Sequence, residues 1–190
     1  GFDGAIVPPG AYRARVSVGG FNQERAFTLV TDPRVSASPE EINTWTERVN
    51  ETAALLDIVL RRLGEARKAQ GQIEALMADY ADDKELQQAG AAAVAAIQAW
   101  DAQLVQPLHE TYEDEDAWET MLAGQIRYLM DVINETGAPV TDGAMQRLAD
   151  LKAEWAKRQT ELEAITAGKI APINNWARDK GVTHVAAPGP

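Results

Sequence analysis

Residues 39–80 read PEEINTWTERVNETAALLDIVLRRLGEARKAQGQIEALMADY, and this stretch decides the fold. Ile42, Trp45, Val49, Thr52, Leu56, Val59, Leu63, Ala66, Gln70, Ile73, Met77 and Tyr80 follow at alternating steps of three and four. That spacing is one continuous helical face, made to lie along other helices. At 1.5 Å per residue the helix is roughly 60 Å long. Ser38-Pro39-Glu40-Glu41 marks its start: Ser38 caps, Pro39 suits the first helical position, and Glu41 completes the capping-box spacing. Its end is expected around Asp82-Asp83. Thr52 and Gln70 are polar on an apolar seam, where they set register at some cost in stability. Gly64 and Gly71 each cost about 1 kcal/mol relative to alanine, which marks either a close helix contact or a bend.

Three shorter or broken helical patterns follow. The second helix is expected from Lys84 to Leu108, with Leu86, Ala93, Ile97, Trp100 and Leu104 inward and Pro107 kinking or stopping it. The run Ala89–Ala96 is nearly all small and permits close approach of a neighbour. The third helix is expected from Asp116 to Glu135, with Trp118, Leu122, Ile126, Leu129 and Ile133 inward, closed by Gly137-Ala138-Pro139. The fourth begins after Thr141-Asp142 and continues to Lys180. Its stripe is Met145, Leu148, Leu151, Trp155, Leu162, Ile165, Ile170, Ile173 and Trp176, and Pro172 bends it. Residues 182–190 are a tail. Short connections make neighbours antiparallel. With the first and last helices long and the middle two short, the first part of helix one and the last part of helix four are expected to extend as a two-helix stalk. Trp45 and Trp176 would meet there.

Residues 1–35 read as β. Tyr12, Ala14, Val16 and Val18 alternate with Arg13, Arg15 and Ser17, the period of a half-buried strand. Gly19-Gly20 signals a hairpin. Arg25, Phe27 and Leu29 belong to a second strand that ends near Thr31, and Asp32-Pro33 stops it. A lone hairpin is marginal in water. It either packs on the helices or is the end of a β-sandwich whose earlier strands lie outside this chain. The second reading is favoured, with some packing on the first helix.

Apolar (45%) and charged (25%) content is that of a globular chain, and 190 residues suffice for one sizeable core. A net charge of −11 is repelled by nucleic-acid phosphates and by anionic membranes. There is no apolar run of about 18 residues to cross a membrane. No signal peptide is visible, and a start at Gly1 is expected of a processed product or an excised piece. The absence of cysteine excludes disulfides, thiolate metal sites and cysteine nucleophiles.

Little in the sequence points to chemistry. His109 and His184 are far apart, and neither sits in the Glu-x-x-His unit of a carboxylate di-metal bundle. Glu110, Glu113, Asp114 and Asp116 beside His109 suggest a weak cation site, but a solvated acidic loop explains them better. Asp79, Asp82, Asp83 and Glu85 lack the order of a calcium loop and read as negative charge at a helix start. No phosphate-cradling loop or nucleophile motif appears. Asn50-Glu51-Thr52 and Asn134-Glu135-Thr136 match a glycosylation sequon but fall inside expected helices and read as chance matches. The five tryptophans fall almost entirely on apolar stripes, where packing explains them. No cofactor or metal ligand set is expected.

Pro-Pro-Gly-Ala-Tyr-Arg-Ala-Arg-Val-Ser-Val at residues 8–18, then Phe27-Thr-Leu-Val and Thr31-Asp-Pro-Arg-Val35, resemble a junction in a family of large bacterial exported proteins. These carry BNR/sortilin-like β-propellers, often labelled glycosyl hydrolase or sialidase-like. In them an immunoglobulin-like module follows the propeller and leads into a long helical region. Gly137-Ala-Pro-Val-Thr141 and Ile173-Asn-Asn-Trp-Ala177 are similar to that region's turn and last helix. The resemblance implies that this chain is the C-terminal end of such a protein, exported to the periplasm or cell surface. The propeller, with any catalytic residues, lies elsewhere, so no catalytic residue is carried over.

The expected architecture is therefore mainly α: an elongated antiparallel four-helix bundle preceded by a β-hairpin, remnant of a β-sandwich. Residues 1–35 form the hairpin unit, 36–181 the bundle and 182–190 the tail. The expected function is a non-catalytic structural, interaction or oligomerisation module. Its interaction face would be Trp45, Val49, Ile173 and Trp176, and its partner a second copy or the upstream propeller. The alternative is a glycan- or peptide-binding accessory module using the loop His109–Asp116 or an exposed tryptophan. An enzyme in its own right finds no residues at catalytic spacing.

Overall fold

The computed structural model describes residues 5–111, 114 and 117–189. Ser38 opens the long helix α1, Pro39–Asp79, with the expected reciprocal cap. Its hydroxyl accepts the Glu41 N–H at 3.2 Å, and the Glu41 carboxylate accepts the Ser38 N–H at 2.7 Å. The helix ends three residues early because the Asp83 carboxylate accepts the Leu86 N–H at 3.0 Å and so caps α2, Lys84–Asp101. The chain must leave the first helix before that point.

The buried face of α1 is Trp45, Val49, Thr52, Leu55, Val59, Leu63, Ala66, Ala69 and Ile73. Leu55 and Ala69 replace the expected Leu56 and Gln70, since a helix of 3.6 residues per turn drifts against a strict heptad. Gln70 reaches outward to the Glu74 carboxylate at 2.8 Å. Thr52 is fully buried, and its hydroxyl donates to the Arg48 carbonyl at 2.8 Å within its own helix. Neither residue makes the cross-helix bond that a register device needs. Gly64 and Gly71 mark no close contact either: a Cβ at either position meets nothing within 4 Å. The close approach is at Gly90 of α2, where a Cβ would lie 2.4 Å from the Met77 sulfur. Gly64→Ala is therefore expected to raise the folding free energy by about 1 kcal/mol through helix propensity. A urea midpoint at or below the parent's contradicts that.

The second helix stops at Asp101, not Leu108. Beyond it the Gln103 and Leu104 carbonyls accept the Leu122 and Ala123 N–H groups, at 3.4 and 2.9 Å. These two N–H groups open α3, Leu122–Thr136, whose N-terminus has no side-chain cap. The carbonyls after α2 thus satisfy donors that α3 would otherwise leave unpaired. The expected start of the third helix at Asp116 lies outside the described residues. Trp118 precedes the helix and is 47% exposed, so it is not an inward residue. Leu122, Ile126, Leu129 and Ile133 are buried as expected, and Gly137 closes α3 at φ 68°.

The last limb comprises α4, Asp142–Ile165, a π-helical turn, Thr166–Ile170, and α5, Ala171–Lys180. Pro172 has no N–H to give, and in a regular helix its ring crowds the carbonyl four residues back. The widened turn just before it absorbs the misfit, so the helix passes Pro172 with a bulge instead of ending. Met145 is exposed, contrary to its place on the expected stripe.

The helices form an elongated antiparallel bundle in three limbs. Trp45 donates to the Ile133 carbonyl at 2.8 Å, and Arg67 binds the Asp101 carboxylate at 2.6 and 2.9 Å. So α3 covers the first half of α1 and α2 covers the second. The Trp100 indole donates to the Arg158 carbonyl at 2.8 Å, and Lys152 pairs with Glu51, which sets the last limb antiparallel to the middle one. Because α2 and α3 lie in series, α1 is covered along its length. The expected two-helix stalk does not form.

Strands β1, Gly10–Val18, and β2, Phe21–Leu29, pair antiparallel with Val18 opposite Phe21 across Gly19-Gly20. Gly19 has φ 58°, as a two-residue hairpin turn requires. The second strand thus begins at Phe21, before Arg25. The expected packing on the first helix is not found: Val16, Val18, Phe21 and Phe27 are all exposed. Only the lead-in docks, with the Ile6 N–H donating to Asn134 Oδ1 at 3.3 Å.

Candidate interaction surface

The four residues of the expected interaction face are not brought together. Trp45 and Val49 are buried near the start of α1, against the end of α3. Ile173 is buried and Trp176 half-buried at the opposite end, about 50 Å away along α1 at 1.5 Å per residue. The Trp176 indole donates to Asp83 Oδ2 at 3.0 Å and meets the Tyr80 ring edge-on at 5.0 Å. Lys180 lies 5.9 Å over the indole and 3.7 Å from the same Asp83 carboxylate. This cluster ties the end of α5 to the turn between α1 and α2.

The Leu86 N–H, then the Trp176 indole N–H, hold the Asp83 carboxyl below the ordinary carboxylate range, with Lys180 adding its charge. A depressed folded value contributes stability that is present above the unfolded value, near pH ~4, and lost as pH falls through the folded value. Asp83→Asn keeps a capping oxygen but removes the charge. The variant is expected to be less stable than the parent at pH 7, with the gap narrowing below pH ~4. Urea midpoints across that range measure it, and a gap independent of pH contradicts it.

The hairpin carries several exposed apolar residues close together. One face carries Tyr12, Val16, Val18, Phe21, Phe27 and Leu29, interrupted by Gln23 and Arg25, because cross-strand pairs Tyr12↔Phe27, Ala14↔Arg25, Val16↔Gln23 and Val18↔Phe21 fall on the same side. Tyr12 and Phe27 stack at 5.9 Å, and the Tyr12 hydroxyl donates to the Pro8 carbonyl at 2.6 Å. Val18 is 70% and Phe21 58% exposed. The other face is polar: Glu24 pairs with both Arg13 and Arg15, at 2.8 and 2.9 Å, and Ser17 bonds Asn22. Among the described residues the sheet has two strands, so neither outer edge is paired with another strand. Phe21 was missed in the sequence, where the signal that could have placed it is the two-residue Gly19-Gly20 loop, which fixes the register.

A second feature is an open groove of about 1060 Å³ between the connection after α2, α3 and the start of α4. Leu104, Met121 and Val132 line it beside His109, Tyr128 and Arg147, and Arg147 bonds Gln125. The neighbouring acidic loop is occupied with itself: the Asp114 carboxylate accepts the Glu110 and Thr111 N–H groups, each at 2.8 Å. Glu113 and Asp116 lie outside the described residues. Among the described residues no group of three or more His, Cys, Asp or Glu could hold a metal ion. None of the described helices is long and apolar enough to cross a membrane. Comparison with family models, curated proteins and solved structures finds no match to this chain.

Proposed function

We propose that this chain is a non-catalytic structural and interaction module, the C-terminal part of an exported protein of the BNR/sortilin-like β-propeller kind. In this reading β1 and β2 are the closing strands of an immunoglobulin-like sheet, and the bundle is a stiff strut that follows it. The observation that carries it is the contrast between a bundle whose apolar stripes are largely buried and a hairpin that, among the described residues, has most of one face exposed and no further strand on either edge.

Magnitude favours a sheet partner on the same polypeptide. Nine residues at about 3.4 Å give a face roughly 30 Å long, and two strands make it roughly 10 Å wide. Burying about 300 Å² per partner falls well short of the ~800 Å² of a stable bimolecular interface. Strands joined covalently to the hairpin need no such area, because they are held at high local concentration.

The test is hydrogen exchange on a chain extended N-terminally by about 100 residues of the parent polypeptide, the size of an immunoglobulin-like module. The outward-pointing amides of β1 and β2 are expected to exchange fast in the present chain and slowly in the extended one. Edge amides that stay fast in the extended chain overturn the reading. The exposed Trp118 favours the alternative, a glycan- or peptide-binding accessory module. A tryptophan fluorescence change on adding glycans, lost in Trp118→Phe, would select it.

A further inference from the structure

Residues 182–189 do not trail into solvent. Gly181 turns the chain at φ 67°, and the segment runs back across the bundle. Asn174 of α5 reads the backbone of Val185 on both sides. It accepts the Val185 N–H at 2.7 Å and donates to the Val185 carbonyl at 3.0 Å. On α1, Gln72 accepts the Ala186 N–H at 2.8 Å and Glu65 the Gly189 N–H at 3.2 Å. Val185 and Pro188 are buried, and Ala186 and Ala187 between them are exposed. The two anchors are thus three residues apart, with the residues between them facing outward.

These contacts are side chains reading a backbone plus two seats for side chains, which is how grooves hold extended peptides. None of them needs the segment to be continuous with α5. We propose that the groove between α1 and α5 is a docking site for an extended Val-x-x-Pro segment. Residues 182–189 fill it in cis, and the same segment of a second copy fills it by exchange. Exchange reproduces every contact, so only the hinge at Gly181 and the entropy of association oppose it. Glycine suits that hinge because it passes between positive and negative φ without steric cost. The inference does not rest on the reading of the hairpin, which lies on another part of the molecule.

The probe is a fluorescein-labelled peptide of residues 182–189, VTHVAAPG, titrated into the full chain carrying Val185→Asp and followed by anisotropy. Saturable binding is expected, at least tenfold weaker when Asn174→Ala is added, and absent for a peptide carrying Val185→Asp. The unsubstituted chain should bind the peptide at least tenfold more weakly than the Val185→Asp chain, because its own segment competes. In light scattering, the mass of the unsubstituted chain should climb from 20.6 kDa toward twice that value with concentration, and Asn174→Ala should prevent the climb. A Val185→Asp chain with the parent's helical circular dichroism that binds no peptide overturns the proposal. So does an unsubstituted chain that stays at 20.6 kDa up to about 1 mM, the local concentration a short tether provides. If Val185→Asp fails to fold, Pro188→Ser takes its place in the same titration.

Discussion

Trp100→Ala is expected to cost about 3–5 kcal/mol of folding free energy, a large part of the 5–15 kcal/mol that holds a typical domain together. Trp100 is 1% exposed, and its ring is in the core between α2 and the last limb. Truncation removes most of the side chain from a place where helix backbones cannot close in. Its indole N–H bond to the Arg158 carbonyl spans 58 positions of sequence and fixes how far α4 slides along α2. Trp100→Phe separates the two effects. It fills much of the space and loses the hydrogen bond, so it should cost less than the alanine variant, with about 1 kcal/mol of its cost due to the hydrogen bond. Urea midpoints for the three chains measure this, and an alanine variant within 1 kcal/mol of the parent contradicts the packing described.

Trp45→Ala should cost about 3 kcal/mol at least, and the loss should not depend on protein concentration. The indole is buried and donates to the Ile133 carbonyl within the same chain. A residue at an interface between copies behaves differently, because mass action makes its contribution shrink on dilution. Denaturation at two concentrations a hundredfold apart decides between the two. A loss that disappears in the dilute sample would return Trp45 to the interaction face that the unequal helix lengths suggest.

Local features were legible because local physics creates them. The Ser38–Glu41 cap, the Gly19-Gly20 turn, the acidic start of the second helix and the stop at Gly181 each involve residues no more than a few positions apart. The buried stripe of α3 from Leu122 to Ile133 was equally plain, since an amphipathic period survives whatever partner covers it. Trp118 was misplaced because its position in the period is right while the helix has not yet begun. Periodicity alone cannot see that the carbonyls of Gln103 and Leu104 supply the donors of Leu122 and Ala123 with partners and so fix the start there.

The candidate surface was half legible. The alternation of Tyr12, Val16 and Val18 announces an apolar face, but nothing in it says whether that face is covered. The backbone-reading contacts of Asn174 on Val185 carry no pattern at all in the sequence, because an asparagine that binds a passing backbone looks like any other polar helix residue.

The sequence by itself determined that the chain is helical with a β-hairpin in front, where the first helix is capped and most of the residues that each stripe buries. Those properties follow from neighbours three or four residues apart. Only the tertiary structure decided that α2 and α3 share the length of α1 in series, that Trp45 and Trp176 sit at opposite ends, and that residues 182–189 return to the bundle. Each depends on contacts between positions far apart in the chain, whose register is set by the volumes and hydrogen bonds that meet there.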